Sequence, residues 1–501
     1  MAARFPSRLL AMALAFPLIV RTSTLDAQTT APPEPAPHML TLQDAIAMAQ
    51  VRGPSAEVAR SSRDEARWQS RAFSASLLPQ VFLSGNAANL NRGINPITLP
   101  DGSTQFVSQA QNQSTLGVGI AQRIPFTGGT FTVQSEVSRI DLFGDQTGKY
   151  WQTTPVVVGL QQDLFKPRNL IWDQRENDLS TEVGERSYLE AREDVAAQAA
   201  AAFFDLYTAQ MTLQNSASNV AVNDTLYTLN KGRYQVGKIG ENDLLKSELA
   251  LLRSRASADD ARLARDRAEA ALRRIIGYPV DQPFTIVTPD SIPVIDADAD
   301  VAVREALKNS STITQSQLQR VQSQRTLNEA KLSSRFNATL SASVGFNQTA
   351  PVFGEAYRSP MGKQDLVVGV DMPVMQWGQG HANVEAAKAD LERVTTNNKI
   401  AHDQLAEDAR FSALQLQQAQ RNVLISAKAD TVAEKGFDVA KNRYVIGKIG
   451  ITDLYQAQTE KDAAVLAYVD ALRGYWTAYY HLRRVTLFDF ATKTELGDER
   501  K

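Results

Sequence analysis

Cysteine is absent from this sequence of 501 residues. Disulfide scaffolds, cysteine-ligated zinc modules, thiol catalysis and a lipid-modified N-terminal cysteine are therefore excluded. Neither sign of charge is in excess, because 53 Lys and Arg stand against 55 Asp and Glu. That balance argues against nucleic acid as a partner, since a surface that binds nucleic acid is usually basic.

Long hydrophobic runs are also missing beyond the N-terminal segment, where no stretch offers 18 consecutive apolar residues. Together with a slightly negative mean hydropathy, this excludes a polytopic helical membrane protein. The class of membrane β-barrels stays open, because their strands alternate apolar and polar residues and average out as polar.

The N-terminus has the pattern of a secretory signal peptide. A basic start and an apolar run over 9–20 are followed by a cleavage point after Ala27. We therefore predict a signal peptide over 1–27 and a proline-rich, extended leader over 28–40. An uncleaved anchor is the alternative, for which the apolar run is short. The chain is predicted to be exported.

Proline is unevenly distributed: all 20 prolines lie at or before Pro373, and none falls in 168–278 or 374–501. Both gaps are rich in residues that favour helix, whereas a helix interior excludes proline. Small and apolar residues recur there at alternating three- and four-residue steps, so a coiled-coil rod is an alternative fold. Six helices are predicted, two long and four shorter, at about 170–234, 380–444, 41–78, 241–277, 299–335 and 450–488.

An internal repeat organises the whole chain. The segment GRYQVGKIGENDLL at 232–245 matches NRYVIGKIGITDLY at 442–455, an offset of 210 residues. The same offset places VVVGLQQDL at 156–164 on LVVGVDMPV at 366–374. Upstream the offset becomes 257, so about 47 extra residues lie among the strands of the first half. We infer a duplicated helix–strand–helix unit.

The repeat also predicts the domain organisation. In each half a helix precedes the strands, and a long helix, a tip and a return helix follow them. The predicted segments are a first repeat over 41–277, a linker over 278–298, a second repeat over 299–488 and a polar tail over 489–501. Strands are expected within 78–165 and 335–375, and the tips within 234–243 and 444–453.

The strand segments alternate in polarity. Within 336–347, Leu340, Val344 and Phe346 share one face, and small polar residues share the other. A membrane strand with lipid on one side and water on the other has this pattern, although a soluble β-sandwich strand has it too. An inserted hairpin is predicted at 114–139, which makes four strands in the first half and two in the second. So few strands cannot close a pore alone, and lipid does not tolerate open edges, so oligomerisation follows if the strands lie in a membrane.

The duplicated R-Y-x-x-G-K-I-G-x-x-D-L turn, the alternation of long and short helices, the strands and the signal peptide together resemble the TolC-type outer-membrane efflux and secretion duct family. The resemblance covers about 41–488 and implies a mainly α fold with membrane β. It implies a homotrimer, in which a β-barrel in outer-membrane lipid continues into a long periplasmic α-helical barrel. The trimer would contain 12 strands, or 18 if the inserted hairpin joins the barrel.

The resemblance further implies passive conduction to the cell exterior. An inner-membrane pump, of the antiporter or ABC type, or a type I secretion system would supply the energy through a periplasmic adaptor protein. The sequence does not indicate whether the cargo is a drug, a metal, a lipid or a protein.

Family members close the periplasmic end with an acidic ring, onto which Asp453 and the first-repeat Asp243 fall by motif position. The second acidic position of the ring is Gln456 here, and Lys448 lies beside the position of a basic locking residue. Three symmetry-related carboxylates at position 453 would make an anionic, cation-sensitive constriction. Capping of the returning helix is the alternative role for both aspartates.

The predicted adaptor contacts are Val236 and Gly237 in the first tip and Ile446 and Gly447 in the second. Turn geometry alone is the alternative reason for the two glycines, because glycine readily adopts positive φ. Both explanations can hold together.

We find no catalytic constellation, and the four histidines show no metal-ligand spacing. The sequence therefore predicts no enzyme, no metal site and no cofactor. A periplasmic helical scaffold or adaptor without its own pore is the alternative function, and an exported hydrolase is a third.

Overall fold

A computed structural model describes residues 38–144, 147–288 and 292–497. The predicted signal peptide over 1–27 and all but the end of the leader over 28–40 lie outside the described residues. Among the described helices, none combines the length and the apolarity needed to cross a membrane.

Two helices of 67 residues each dominate the structure, and at 1.5 Å per residue each is about 100 Å long. Each is followed by a return helix of 36 residues, and the equal lengths reflect the duplication. The helices are α1 (Leu42–Arg52), α2 (Pro54–Ser76), α3 (Asn169–Gln235), α4 (Glu241–Ile276), α5 (Ala299–Asn309), α6 (Ser311–Ser333), α7 (Gln379–Val445) and α8 (Ile451–Thr486).

Each of the helices predicted over 41–78 and 299–335 is broken in two, a break that Pro54 indicates in the first and that no proline indicates in the second. The backbone leaves the helical conformation at Gly53 (φ −64°, ψ 141°) and in the same way at Ser310 (φ −63°, ψ 142°). Pro54 occupies the first position of α2, where its missing N–H costs nothing. The second repeat has no proline there, and the Ser310 hydroxyl instead caps α6 by accepting a hydrogen bond from Thr312 N.

One antiparallel sheet contains strands from both repeats. Its order is β2-β4-β5-β6-β8-β9, and β3 pairs with the outer part of β4. The strands are β2 (Gln80–Asn86), β3 (Leu90–Thr98), β4 (Thr104–Arg123), β5 (Thr130–Phe143), β6 (Gly148–Asp163), β8 (Asn337–Ala350) and β9 (Met361–Asp371); β1 (His38–Thr41) and β7 (Phe284–Val287) lie elsewhere.

The inserted hairpin is part of this sheet, because β4 and β5 lie between β2 and β6. It is longer than the predicted 114–139 and covers 104–143. The expected four strands of the first half are therefore five, since β3 was not predicted. β3 contains Pro96, and proline argues against a central strand but is compatible with an edge strand such as this one.

The register of the sheet aligns one apolar face across five strands. Val81, Ile120, Val133, Val158 and Val344 stand opposite one another in a continuous row from β2 to β8. In a strand, residues two apart share a face, so Leu340 and Phe346 lie on this face with Val344, as predicted. The Val344 side chain is 54% exposed. The sheet thus presents a broad apolar surface.

The opposite face carries small residues that let neighbouring side chains cross it. A Cβ atom at Gly119 would lie 2.4 Å from Cζ of Phe82 on the adjacent strand. Polar residues also lie on this side, including Gln134 of β5 and Ser343 of β8. The two faces of the sheet therefore differ in polarity, as in a strand with lipid on one side and water on the other.

The main core lies about midway along the two long helices, α3 and α7. There they meet α1, α4, α5 and α8. Beside it, β1 and β7 form a two-stranded parallel sheet. β7 falls inside the segment predicted as a linker, 278–298, so that segment is not simply a linker. β1 joins the end of the leader to the core. Ala196, Ala199 and Ala200 of α3 belong to the main core and are fully buried.

The predicted polar tail, 489–501, is also corrected. Its first part folds back through the short strands β10 (Phe488–Asp489) and β11 (Thr494–Glu495). Asp489 accepts hydrogen bonds from Tyr479 (2.8 Å) and Arg483 (3.0 Å). The same guanidinium donates to Glu193 at 2.8 Å, and that carboxylate is only 1% exposed. The start of the tail therefore completes a buried ion-pair network.

Candidate functional site

The two predicted tips have the same turn geometry. Each long helix is connected to its return helix by five residues, 236–240 in the first repeat and 446–450 in the second. Gly237 (φ +71°) and Gly447 (φ +75°) occupy the left-handed region and end the long helices. In each turn the glycine N–H donates to a tyrosine carbonyl three residues earlier, at 2.9 Å. Both glycines therefore have the backbone conformation that this turn requires.

The structure brings the two tips together at one end of the helices. The hydroxyl of Tyr444 donates to Asn230 Oδ1 at 2.8 Å, and Arg233 Nη2 donates to the carbonyl of Val445 at 3.0 Å. The Arg233 guanidinium also lies 5.4 Å from the centroid of the Tyr444 ring. Since α3 follows β6 and α7 follows β9, the tips lie opposite the sheet.

Equivalent residues of the two tips differ in burial. Tyr444 packs in a small apolar cluster with Phe437, Ile451 and Leu454 and is 5% exposed. Tyr234, which corresponds to Tyr444 at the offset of 210, is 42% exposed. The first repeat covers the tyrosine of the second, whereas nothing within the described protomer covers the tyrosine of the first to the same extent.

The acidic candidates lie in the first turn of each return helix. Asp453 Oδ2 accepts a hydrogen bond from the N–H of Gly450 at 3.2 Å, so this carboxylate caps α8. Among the described residues, the Asp243 carboxylate makes no corresponding bond to Gly240. The cap is compatible with a further role in a ring, because the second oxygen of Asp453 is left for solvent or cations.

The two remaining gating candidates are also placed at the tip. Gln456 Nε2 donates to Glu460 Oε1 at 2.7 Å, one turn further along α8. The side chain of Lys448 is exposed in the turn between α7 and α8. Val236 and Ile446 are exposed as well, by 69% and 65%. The structure therefore collects these predicted site residues at one end, and their roles stay predictions.

A polar cavity near the tip was not predicted. It has a volume of about 530 Å³ and lies between α3, α4 and α8. Asn219 Nδ2 donates to Asp462 Oδ2 at 2.5 Å within it. Asn223 Oδ1 and Gln458 Oε1 are buried there without a hydrogen-bond partner among the described residues. Buried polar groups without partners weaken the contact between helices. In the sequence, the Asn residues that interrupt the apolar spacing of α3 were the feature that could have predicted this cavity.

One protein family and several solved structures are similar to this chain. The sequence profile of the family described as outer membrane efflux protein matches residues 302–486, within the second repeat. No curated protein matches the chain significantly. The matched region contains the second tip and the strands β8 and β9, which are part of what carried the sequence resemblance, and it leaves out the first repeat.

Several solved outer-membrane proteins have a similar fold. The CmeC outer membrane channel of Campylobacter jejuni is 16% identical, with 91% of this chain and 86% of that chain covered and a TM-score of 0.65. The outer membrane protein VceC of Vibrio cholerae is 14% identical, with 90% and 96% covered and a TM-score of 0.65. The open state of the MtrE channel of Neisseria gonorrhoeae is 16% identical, with 89% and 88% covered and a TM-score of 0.58.

These findings confirm the predicted resemblance to the TolC-type family and the predicted fold class. They also support the predicted location in the outer membrane with a helical periplasmic part. The matched family is described as outer membrane efflux proteins, and CmeC and MtrE are described as outer membrane channels.

Proposed function

Because residues 302–486 match the outer membrane efflux protein family, we propose that this chain is one protomer of a homotrimeric outer-membrane channel. The trimer conducts substrates passively to the cell exterior, and an inner-membrane pump and a periplasmic adaptor drive the transport. The observation that carries this proposal is the sheet, which has six strands in its path and is apolar on one face. It lies at the end of the molecule opposite the paired tips.

The sheet has two free edges that complement each other. β2 and β9 lie at its two ends, and they run in opposite directions because every neighbouring pair in the path is antiparallel. β9 of one copy can therefore pair with β2 of the next in the same antiparallel pattern. A sheet in lipid must close, because unpaired backbone groups there cost several kcal/mol each. Three copies of six strands close a barrel of 18.

The helical part supports the same head-to-tail contact. The first repeat covers Tyr444, and the equivalent Tyr234 is left exposed. In a ring of copies, the second repeat of a neighbouring copy takes the corresponding position and covers Tyr234. Repeated contacts of this heterologous kind produce a ring when the rotation closes.

At the tips, we propose that three copies of Asp453 form the anionic constriction, with Asp243 and Gln456 beside it and Lys448 in the closing contacts. Val236, Gly237, Ile446 and Gly447 form the surface that the adaptor engages. Both roles are supported by the positions of these residues. The exposed apolar side chains of the tips and the carboxylates in the first turns of α4 and α8 lie together at the end remote from the sheet.

We propose no catalytic role for the chain. A periplasmic scaffold without a pore would leave the apolar face of the sheet in water. Monomeric soluble proteins rarely expose so large a contiguous apolar patch. The sheet therefore favours the channel over the scaffold.

The test uses matched charge substitutions on the two faces of β8. Val344→Arg puts a cation on the apolar face near the middle of the strand, where lipid contact costs about 2–4 kcal/mol. Ser343→Arg puts the same charge on the neighbouring position of the other face. We expect wild-type and Ser343→Arg trimers in outer-membrane fractions, with ion conductance in planar bilayers, and greatly reduced assembly of Val344→Arg. A soluble periplasmic monomer, or equal behaviour of the two variants, would contradict the proposal.

A further inference from the structure

A cavity of about 610 Å³ lies where the sheet passes into the helices. Its walls come from the end of β6, the start of α3, the end of α6 and the start of β8. The strands concerned, β6 and β8, pair with each other where the two repeats meet, and neither is a free edge of the sheet. Pairing of copies through the free edges β2 and β9 therefore does not use the strands that line the cavity.

The apolar wall of the cavity continues the apolar face of the sheet. The N–H of Leu164 donates to the carbonyl of Ala338 at 2.8 Å, which extends the β6–β8 ladder by one residue. Phe336 precedes Ala338 by two residues and so follows the same face. The rings of Phe336 and Phe165 lie 5.4 Å apart, and both are exposed by about half.

The polar wall is cationic. Lys166, Arg168, Arg175 and Arg335 line the cavity, and no carboxylate does. Lys166 pairs with Asp163 at 3.1 Å, but among the described residues no carboxylate forms an ion pair with the three guanidinium groups. Arg175 lies 5.8 Å from the ring of Trp172, a further lining residue.

The nearest carboxylates along α3 form their ion pairs with a different cation, which Glu329 also contacts. Asp173 and Glu176 pair with Arg325 of α6, at 2.7 and 3.3 Å. The positive partial charge at the start of α3 adds to the guanidinium charges, because the first N–H groups of a helix have no intrahelical partner. The cavity thus combines unpaired cations with exposed aromatic rings at the foot of an apolar surface.

We propose that this cavity binds the headgroup of an anionic phospholipid from the periplasmic leaflet of the outer membrane. This inference rests on the proposed channel function, which places the foot of the sheet at the membrane interface. Arginine forms charge-assisted, often bidentate hydrogen bonds to phosphate, aromatic rings concentrate at the same depth, and basic pockets at this level accept lipid headgroups. The acyl chains would continue along the apolar face past Leu164 and Leu340.

The experiment measures lipid retention by the full mature chain, purified in detergent as the assembled channel. Native mass spectrometry compares phosphatidylglycerol with phosphatidylcholine, and inorganic phosphate alone is a third probe. We expect one phosphatidylglycerol retained per protomer, with a preference of about tenfold or more over phosphatidylcholine. The triple variant Arg168→Gln, Arg175→Gln, Arg335→Gln should lose the preference while the assembly still conducts.

The matched control removes three exposed cations far from the sheet, with Arg320→Gln, Lys399→Gln and Arg421→Gln, and should keep the preference. A second measurement needs no charge variant: brominated phosphatidylglycerol should quench wild-type tryptophan fluorescence more than that of Trp172→Phe.

The outcomes separate this inference from the proposed function. Conducting trimers that retain both lipids equally, or a triple variant that keeps the preference, would overturn the lipid site and leave the channel standing. Displacement of the lipid by millimolar inorganic phosphate would also overturn it, because the cavity would then be a site for the free anion. A chain that forms no trimer and no conductance would defeat the channel itself, and the lipid site with it.

Discussion

Removal of the inserted hairpin should narrow the membrane barrel by about a third. The perturbation replaces residues 87–147 by a short turn, so that β2 leads directly into β6. Strands lie about 4.8 Å apart and tilt by about 40° in a barrel. On those values 18 strands enclose a backbone diameter of about 36 Å and 12 strands about 24 Å.

The second repeat shows that the shortened form has a compatible register. There β8 and β9 are joined without an insert, and Leu340 pairs with Val368. The repeat offsets of 257 and 210 place these two residues on Leu83 and Val158, which both lie on the apolar face. The shortened first repeat can therefore pair in the manner of the second and keep its apolar residues on one side.

The assay is single-particle electron microscopy of wild-type and shortened trimers, in which barrel diameter is measured directly. A matched control replaces 91–111 by a two-residue turn; this removes the arm of β3 and β4 that projects beyond β2 and leaves six strands in the path. The control should keep the wild-type diameter. A wild-type barrel of 12 strands, with the hairpin folded outside it, would refute the reasoning, as would an unchanged diameter in the shortened form.

Three further predictions concern the helices. Arg483→Met leaves the buried Glu193 carboxylate without its main partner and should destabilise the protein by about 3–5 kcal/mol in thermal or denaturant unfolding. Asp453→Ala removes a hydrogen bond to the turn and should cost about 1 kcal/mol more than Asp243→Ala. Burial and the neighbouring Arg484 lower the pKa of His481 from its usual 6.5, so the unfolded chain takes up the proton first, and stability should fall as the pH drops below about 6.5.

Controls exist for each of these measurements. Arg410→Met breaks an exposed pair with Asp300 and should change stability by less than about 1 kcal/mol. His481→Gln should remove its share of the pH dependence. A loss in Arg410→Met equal to that in Arg483→Met, a cost in Asp243→Ala equal to that in Asp453→Ala, or an unaltered pH profile in His481→Gln would each contradict its prediction.

Several elements of the fold could be predicted from the sequence alone. The long helices could be anticipated because proline and helix propensity act locally, and α3 and α7 follow directly from the proline-free gaps. The two tips could be anticipated because a glycine in the left-handed region ends a helix in both repeats, at Gly237 and Gly447. The alternating faces of β8 also lie in the sequence, since successive side chains of a strand point to opposite sides.

Other features required contacts between distant parts of the chain. The break at Ser310, the strand β7 within the expected linker and the burial of the expected tail at Asp489 each depend on the partner that the segment meets. The polar cavity near the tip and the cationic cavity at the foot of the sheet likewise combine residues from three or four elements.

The sequence by itself determined the duplication, the helices, the tips and the polarity of each strand, because these depend on residues within a few turns or a few strand positions of one another. The tertiary structure decided that the hairpin joins the sheet and that one apolar face continues across both repeats. Strand pairing is set by register between residues far apart in the chain, and a single strand with two faces has the same local pattern whichever neighbours it finds.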